Sequence, residues 1–171
     1  VDGLEIYNGW TLGWDTGFDQ FFQGSSYLGG FKLDMNDCVS FAYLATAGNF
    51  GFRSSGDDDG YSHSMVLDMQ LSSRLNYVLQ SDHVRHHGLF GNAALNDLQV
   101  NDIGINQYLI YTLNDCWSIG GRLEWWKSNT PTANQAAAVT DMQSYYAITG
   151  GVNYKPPANV IIPPDVRYDW T

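Results

Sequence analysis

Basic residues are scarce in this sequence: 8 Lys and Arg stand against 18 Asp and Glu, for a formal net charge of −10. Recognition of nucleic acid needs a basic footprint that neutralises phosphates, so this balance excludes a nucleic-acid partner. With 18 glycines, 15% aromatic residues and few Lys and Glu, the composition is also wrong for a helical bundle. Proline is sparse, and nothing asks for a helix beyond one turn at Asn134–Val139. No apolar run approaches the roughly 20 residues that a membrane helix requires. That absence leaves a β-barrel open, because barrel strands alternate and escape a hydropathy window. No export signal opens the chain, so the expectation is that any such segment is cleaved or lies outside this sequence.

What is present is alternation. In "YSHSMVLDMQL", Tyr61, His63, Met65, Leu67, Met69 and Leu71 share one parity, while Ser62, Ser64, Val66, Asp68 and Gln70 share the other. A period of two is the strand period, since successive side chains leave a pleated backbone on opposite faces. The same test finds nine strands. The first holds Leu4, Ile6, Trp10, Leu12 and Trp14, with Asn8 as the one polar intruder. The second holds Tyr27, Phe31, Leu33 and Met35, and the third Val39 to Ala47. The fifth starts near Leu75 and loses its alternation around Asp82. The sixth runs from Ile103 to Tyr111, the seventh from Trp117 to Trp125, the eighth from Tyr146 to Tyr154 and the ninth from Val160 to Trp170.

The connections alternate in length. "MNDC", "SSR", "NDC" and "KPPAN" are short reversals made of turn formers. Long polar segments, such as "NFGFRSSGDDDG" and "KSNTPTANQAAAVTDMQS", separate them. Tight turns at one end and long loops at the other predict an antiparallel up-and-down transmembrane β-barrel. Strands of about 10 to 13 residues suit a tilted membrane strand. The polar face is rich in Gly, Ser, Asn, Thr and Asp, as inside a crowded closed wall. Tyr and Trp gather toward the ends of the oily runs, as in an interfacial girdle against lipid: Trp10, Trp14, Tyr27, Tyr61, Tyr111, Trp117, Trp125, Tyr146, Tyr154, Tyr168 and Trp170. The same aromatics could instead form the core of a soluble sandwich.

The parity opposite the girdle carries Lys32, Asp34, Asp68, Arg122, Glu124, Asp165, Arg167 and Asp169. In a wet lumen these would line the pore and filter solutes by sign and size. Alternatively, Arg122 with Glu124, and Arg167 with Asp165 or Asp169, are neutralising pairs that brace the wall. "DHVRHH" clusters His83, His86 and His87 without a carboxylate or Cys at ligand spacing, so no metal site is assigned. "GDDDG" at Gly56–Gly60 lacks the periodic spacing of a Ca²⁺ loop and reads as a solvated acidic segment. Cys38 and Cys116 each follow "ND" in a short turn. Four strands between those turns put about 20 Å of wall between the thiols, beyond a disulfide's reach. No catalytic constellation emerges: His63 lies on the oily parity, and its neighbours Ser62 and Ser64 point the other way.

"INQYLIYTLNDCWSIGGRLEWWKS" followed by "YYAITGGVNYKPPANVIIPPDVRYDW" resembles the late part of the beta-barrel porin-2, OmpL-like family of bacterial outer-membrane proteins. The matching positions are Arg122, Glu124 and Trp125, Asn153–Pro156, then Pro164, Asp165, Arg167, Tyr168, Asp169 and Trp170. Pro163 departs from the family pattern, which often has Arg there. The resemblance implies an outer-membrane porin in lipid, without cofactor, passing small hydrophilic solutes or ions by passive diffusion, alone, as a homo-oligomer or with a partner protein. Nine strands are an odd number for such a barrel, and residues 1–171 are therefore expected to be a barrel domain incomplete at both ends. Two other readings stand beside it: a non-conducting outer-membrane barrel for adhesion, anchoring or sheathing, and a soluble carbohydrate-binding β-sandwich.

Overall fold

In this computed structural model the described residues are 3–13, 19–20, 23–50, 59–87, 99–129, 142–156 and 162–171. They form nine strands: β1 (Leu4–Thr11), β2 (Ser25–Asn36), β3 (Val39–Asn49), β4 (Asp59–Gln70), β5 (Leu75–His87), β6 (Gln99–Asn114), β7 (Trp117–Ser128), β8 (Gln143–Tyr154) and β9 (Asp165–Trp170). Each pairs antiparallel with its sequence neighbours in one sheet of order β1 to β9. No helix among the described residues is long and apolar enough to cross a membrane.

The short reversals make the tight turns. In the β2–β3 turn the Cys38 amide donates to Asn36 Oδ1 at 2.8 Å. In the β6–β7 turn the Cys116 amide donates to Asn114 Oδ1 at 3.0 Å. Asparagine thus replaces a turn's backbone acceptor with its own side chain. Both turns follow a register shift, between Asp34 and Asn36 and between Thr112 and Asn114, so the sequence echo is a structural one.

The nine strands, expected as an incomplete portion of a transmembrane barrel, do not close into one. Among the described residues strand contacts join sequence neighbours only, and β1 and β9 remain separate edges of an open sheet. The odd strand count explains it: in a nine-strand meander β1 and β9 run in the same direction, so the antiparallel seam of an up-and-down barrel is not available to them. With no closed wall there is no enclosed lumen, and this overturns the reading of the chain as a diffusion porin.

Three strands differ from the sequence expectation. β5 continues through Asp82 to His87 because β4 and β6 flank it on both sides and supply ladder partners along its length. β9 starts only at Asp165, with a single bridge from Ile162 to Tyr154 upstream. Pro163 and Pro164 carry no N–H for a ladder and break the longer strand expected from Val160. β1 ends at Thr11, and Trp14 lies outside the described residues, as do Asn134–Val139 and Gly56–Asp58.

Close strand approach fixes some glycines. A Cβ on Gly30 would sit 2.0 Å from the Tyr43 carbonyl oxygen and 2.9 Å from Leu44 Cα, both backbone atoms of β3. At Gly150 nothing lies within 4 Å of such a Cβ. Gly30→Ala should therefore destabilise the protein by about 1–3 kcal/mol, and Gly150→Ala should stay within about 0.5 kcal/mol of the parent. Urea titration followed by tryptophan fluorescence measures both.

Candidate functional site

Register builds the two faces. Directly paired residues share a face, so one row can be followed across the sheet: Leu4, Leu33, Phe41, Leu67, Leu79, Gln107, Leu123, Ile148 and Tyr168. The next row holds Ile6, Phe31, Tyr43, Met65, Ser81, Ile105, Trp125, Tyr146 and Trp170. Ten of the eleven girdle aromatics lie on this apolar face, Trp14 being outside the described residues. Trp117 stacks on Tyr154 with ring centroids 4.4 Å apart, and Tyr146 on Trp170 at 5.7 Å. Two polar pairs on this face satisfy each other: Tyr27 Oη donates to Asn8 Oδ1 at 2.6 Å and Tyr77 Oη to Gln107 Oε1 at 2.8 Å.

Burial is inverted relative to a water-soluble sheet. The apolar face is open, with Ile6 at 68%, Val166 at 79% and Leu123 at 50% of full exposure. Apart from Gly29, which lies beneath the Tyr27 ring on the apolar parity, the buried strand residues Ser26, Thr46, Val100, Ser128, Ala147 and Thr149 belong by register to the opposite face.

That opposite face carries all eight charged residues singled out in the sequence, Lys32, Asp34, Asp68, Arg122, Glu124, Asp165, Arg167 and Asp169. Here four of them are linked. Glu124 lies 3.1 Å from Arg122 and also accepts from Arg167, whose Nη2 lies 2.8 Å from Asp169. Arg167 reaches over β8 because the residues beneath it, Ala147 and Thr149, are small; two strand spacings come to about 9.6 Å. Lys32 pairs with Asp34 at 3.0 Å. Asn76 donates to Asp68 at 2.7 Å, and Gln80 to Asp82 at 2.8 Å. Asp165 is not drawn into the Arg167 network.

Beside that network is a shallow trough of about 840 Å³ whose polar-face lining includes Asp82, Asp102, Glu124, Trp126, Tyr145 and Asp169. Trp126 stacks on Tyr145 with centroids 5.1 Å apart. Sequence reading missed this pair, and the signal was the doubled "EWW", where the second tryptophan falls on polar parity. The β4–β5 hairpin also sets His63 against His83 on the apolar face. Their distance from the turn at Ser72–Arg74 could have revealed that pairing in the sequence. His86 falls on the other face from His83, so "DHVRHH" does not converge, and the His87 side chain lies outside the described residues. Among the described residues no group of three or more His, Cys, Asp or Glu could hold a metal. Cys38 and Cys116 are free thiols in their separate turns.

The family description "Putative beta-barrel porin-2, OmpL-like" matches residues 1–171. The chain belongs to this family. Membership links it to the bacterial outer membrane and to proteins that are not enzymes. No curated protein and no solved structure matches it.

Since Glu124 holds two guanidinium groups, Glu124→Gln should lower the urea midpoint more than Asp169→Asn, which leaves Glu124 touching both arginines. Parallel unfolding curves of the two variants test this order.

Proposed function

We propose that this porin-family chain acts as a non-conducting wall element of the outer membrane, an anchoring or sheath sheet. Its apolar face lies against lipid acyl chains, and its edges are completed by strands of a partner. The inverted burial carries the reading. Covering a Leu-sized side chain removes about 1.5–3 kcal/mol of hydration penalty, and a whole face of them left in water would drive aggregation. Lipid satisfies such a face without a second protein layer. Charges on the other face support a structural role, because Arg122, Glu124, Arg167 and Asp169 are tied to one another from β7 over β8 to β9. Unpaired backbone groups are costly in hydrocarbon. The edges β1, of 8 residues, and β9, of 6, are therefore where partner strands add to the sheet.

A specific observation favours a second reading, a soluble carbohydrate-binding sheet. The stacked Trp126 and Tyr145 beside the trough carboxylates offer a flat apolar platform with acceptors for sugar hydroxyls. Open edges are also tolerated in water.

The two readings separate in vesicles. In the first, brominated acyl chains quench tryptophan fluorescence, and Leu123→Arg on the apolar face weakens membrane partitioning by about 2–4 kcal/mol, whereas Ser64→Arg on the polar face has little effect. Planar-bilayer recordings should stay silent; stepwise conductance would defeat the non-conducting reading. A protein that stays in the aqueous phase, and whose tryptophan emission responds to oligosaccharide only while Trp126 is present, would establish the second reading instead.

A further inference from the structure

We infer that His63 and His83 form a two-nitrogen site for a divalent transition-metal ion on the apolar face, toward the end of the β4–β5 hairpin away from its tight turn. This goes beyond the wall-element reading and concerns the chain out of lipid, where the apolar face is open to water and to the ion.

The hairpin register places the two histidines directly opposite each other. His63 Nε2 lies 3.2 Å from His83 Nδ1, and the rings stand edge to face at 89° with centroids 5.2 Å apart. His83 Nε2 lies 2.6 Å from Asn101 Oδ1 on β6. An amide oxygen can only accept, so His83 carries its proton on Nε2, and its neutral ring presents a bare lone pair at Nδ1 to His63. This is the outer support that metal-bound histidines ordinarily have: the far nitrogen donates to a fixed carbonyl, which sets the tautomer and aims the near one. Tyr61 packs edge-on against His83 at 5.5 Å, and Tyr43 lies 6.0 Å from His63, so the rings are held from the sides.

His63 has two states. With its proton on Nε2 it donates to His83, and its Nδ1, which is buried and without a hydrogen-bond partner, is left as an idle acceptor. With the proton on Nδ1, two lone pairs face each other across the gap, and a cation between them resolves the repulsion. Two metal–nitrogen bonds of about 2.05 Å meeting at about 90–110° hold their nitrogens about 2.9–3.4 Å apart. The observed separation already lies in that range; because the hydrogen-bonded nitrogens now aim at each other, the ion enters by a proton shift within His63 and a turn of both rings toward a point off the nitrogen–nitrogen line, with no net proton release. Imidazole selects Cu²⁺, Ni²⁺ or Zn²⁺ over Mg²⁺ and Ca²⁺. With no third His, Cys, Asp or Glu nearby among the described residues, the remaining positions belong to water or an incoming ligand.

The test is titration of the full chain with Cu²⁺ alone, read by calorimetry and by electron paramagnetic resonance. The expected result is one Cu²⁺ per chain with nitrogen hyperfine structure. His63→Gln and His83→Gln should each weaken binding at least tenfold, Asn101→Ala by about tenfold or more, and His86→Gln less than twofold. Urea midpoints of the metal-free variants verify folding, and should a glutamine variant fail to fold, Asn101→Ala together with a Cu²⁺-induced rise in the parent's midpoint decides. A parent that takes up no stoichiometric Cu²⁺, or binding that survives both glutamine variants and Asn101→Ala, overturns the site.

Discussion

Everything in this sheet depends on the antiparallel ladder holding register through eight strand pairs. Side chains alternate with a period of two, so a slip of one residue in any hairpin would move the whole set on that strand to the wrong face. The slip would strip Leu79 from the apolar row and turn His83 away from His63. The tight turns enforce register locally. Leu71 and Ser72 donate to the Leu75 carbonyl in one reversal, and the asparagine side chains cap two others.

Two chemically opposite surfaces on a sheet one layer thick create a problem that no internal packing solves. Neighbouring strands touch only along their shared ladder, and the only buried hydrophobic residues among those described are Phe50, Val100 and Ala147. Such a sheet draws its cohesion from backbone hydrogen bonds, cross-strand ring stacks and the ion network on the polar side. A surrounding apolar medium or a partner must complete it. The acidic face is consistent with this division, because the charges singled out on it, Asp165 aside, find partners within the wall.

The strand positions and the parity of nearly every singled-out residue were legible in the sequence, since alternation is local and nine windows repeat it. The odd strand count, and with it the shared direction of the outermost strands, was legible and weighed against closure; shear was not, because it is no local property of any strand. The length of β9 was misread for a simpler reason: Val160 and Ile162 continue the apolar rhythm, but Pro163 and Pro164 cannot donate to the ladder. The two proposed bracing pairs on Arg122 and Arg167 could be foreseen from same-strand spacing. The link from Arg167 to Glu124 could not, because it spans β8 and rests on how small Ala147 and Thr149 are.

The twin turns at Cys38 and Cys116 have an evolutionary consequence. Each joins a bulged strand to a straight one with the same three residues, four strands apart. Duplicating or deleting a hairpin changes the wall by two strands and leaves every remaining strand pointing the same way, with its faces intact. The breadth of such a wall can therefore vary among descendants in steps of one hairpin without a new folding solution.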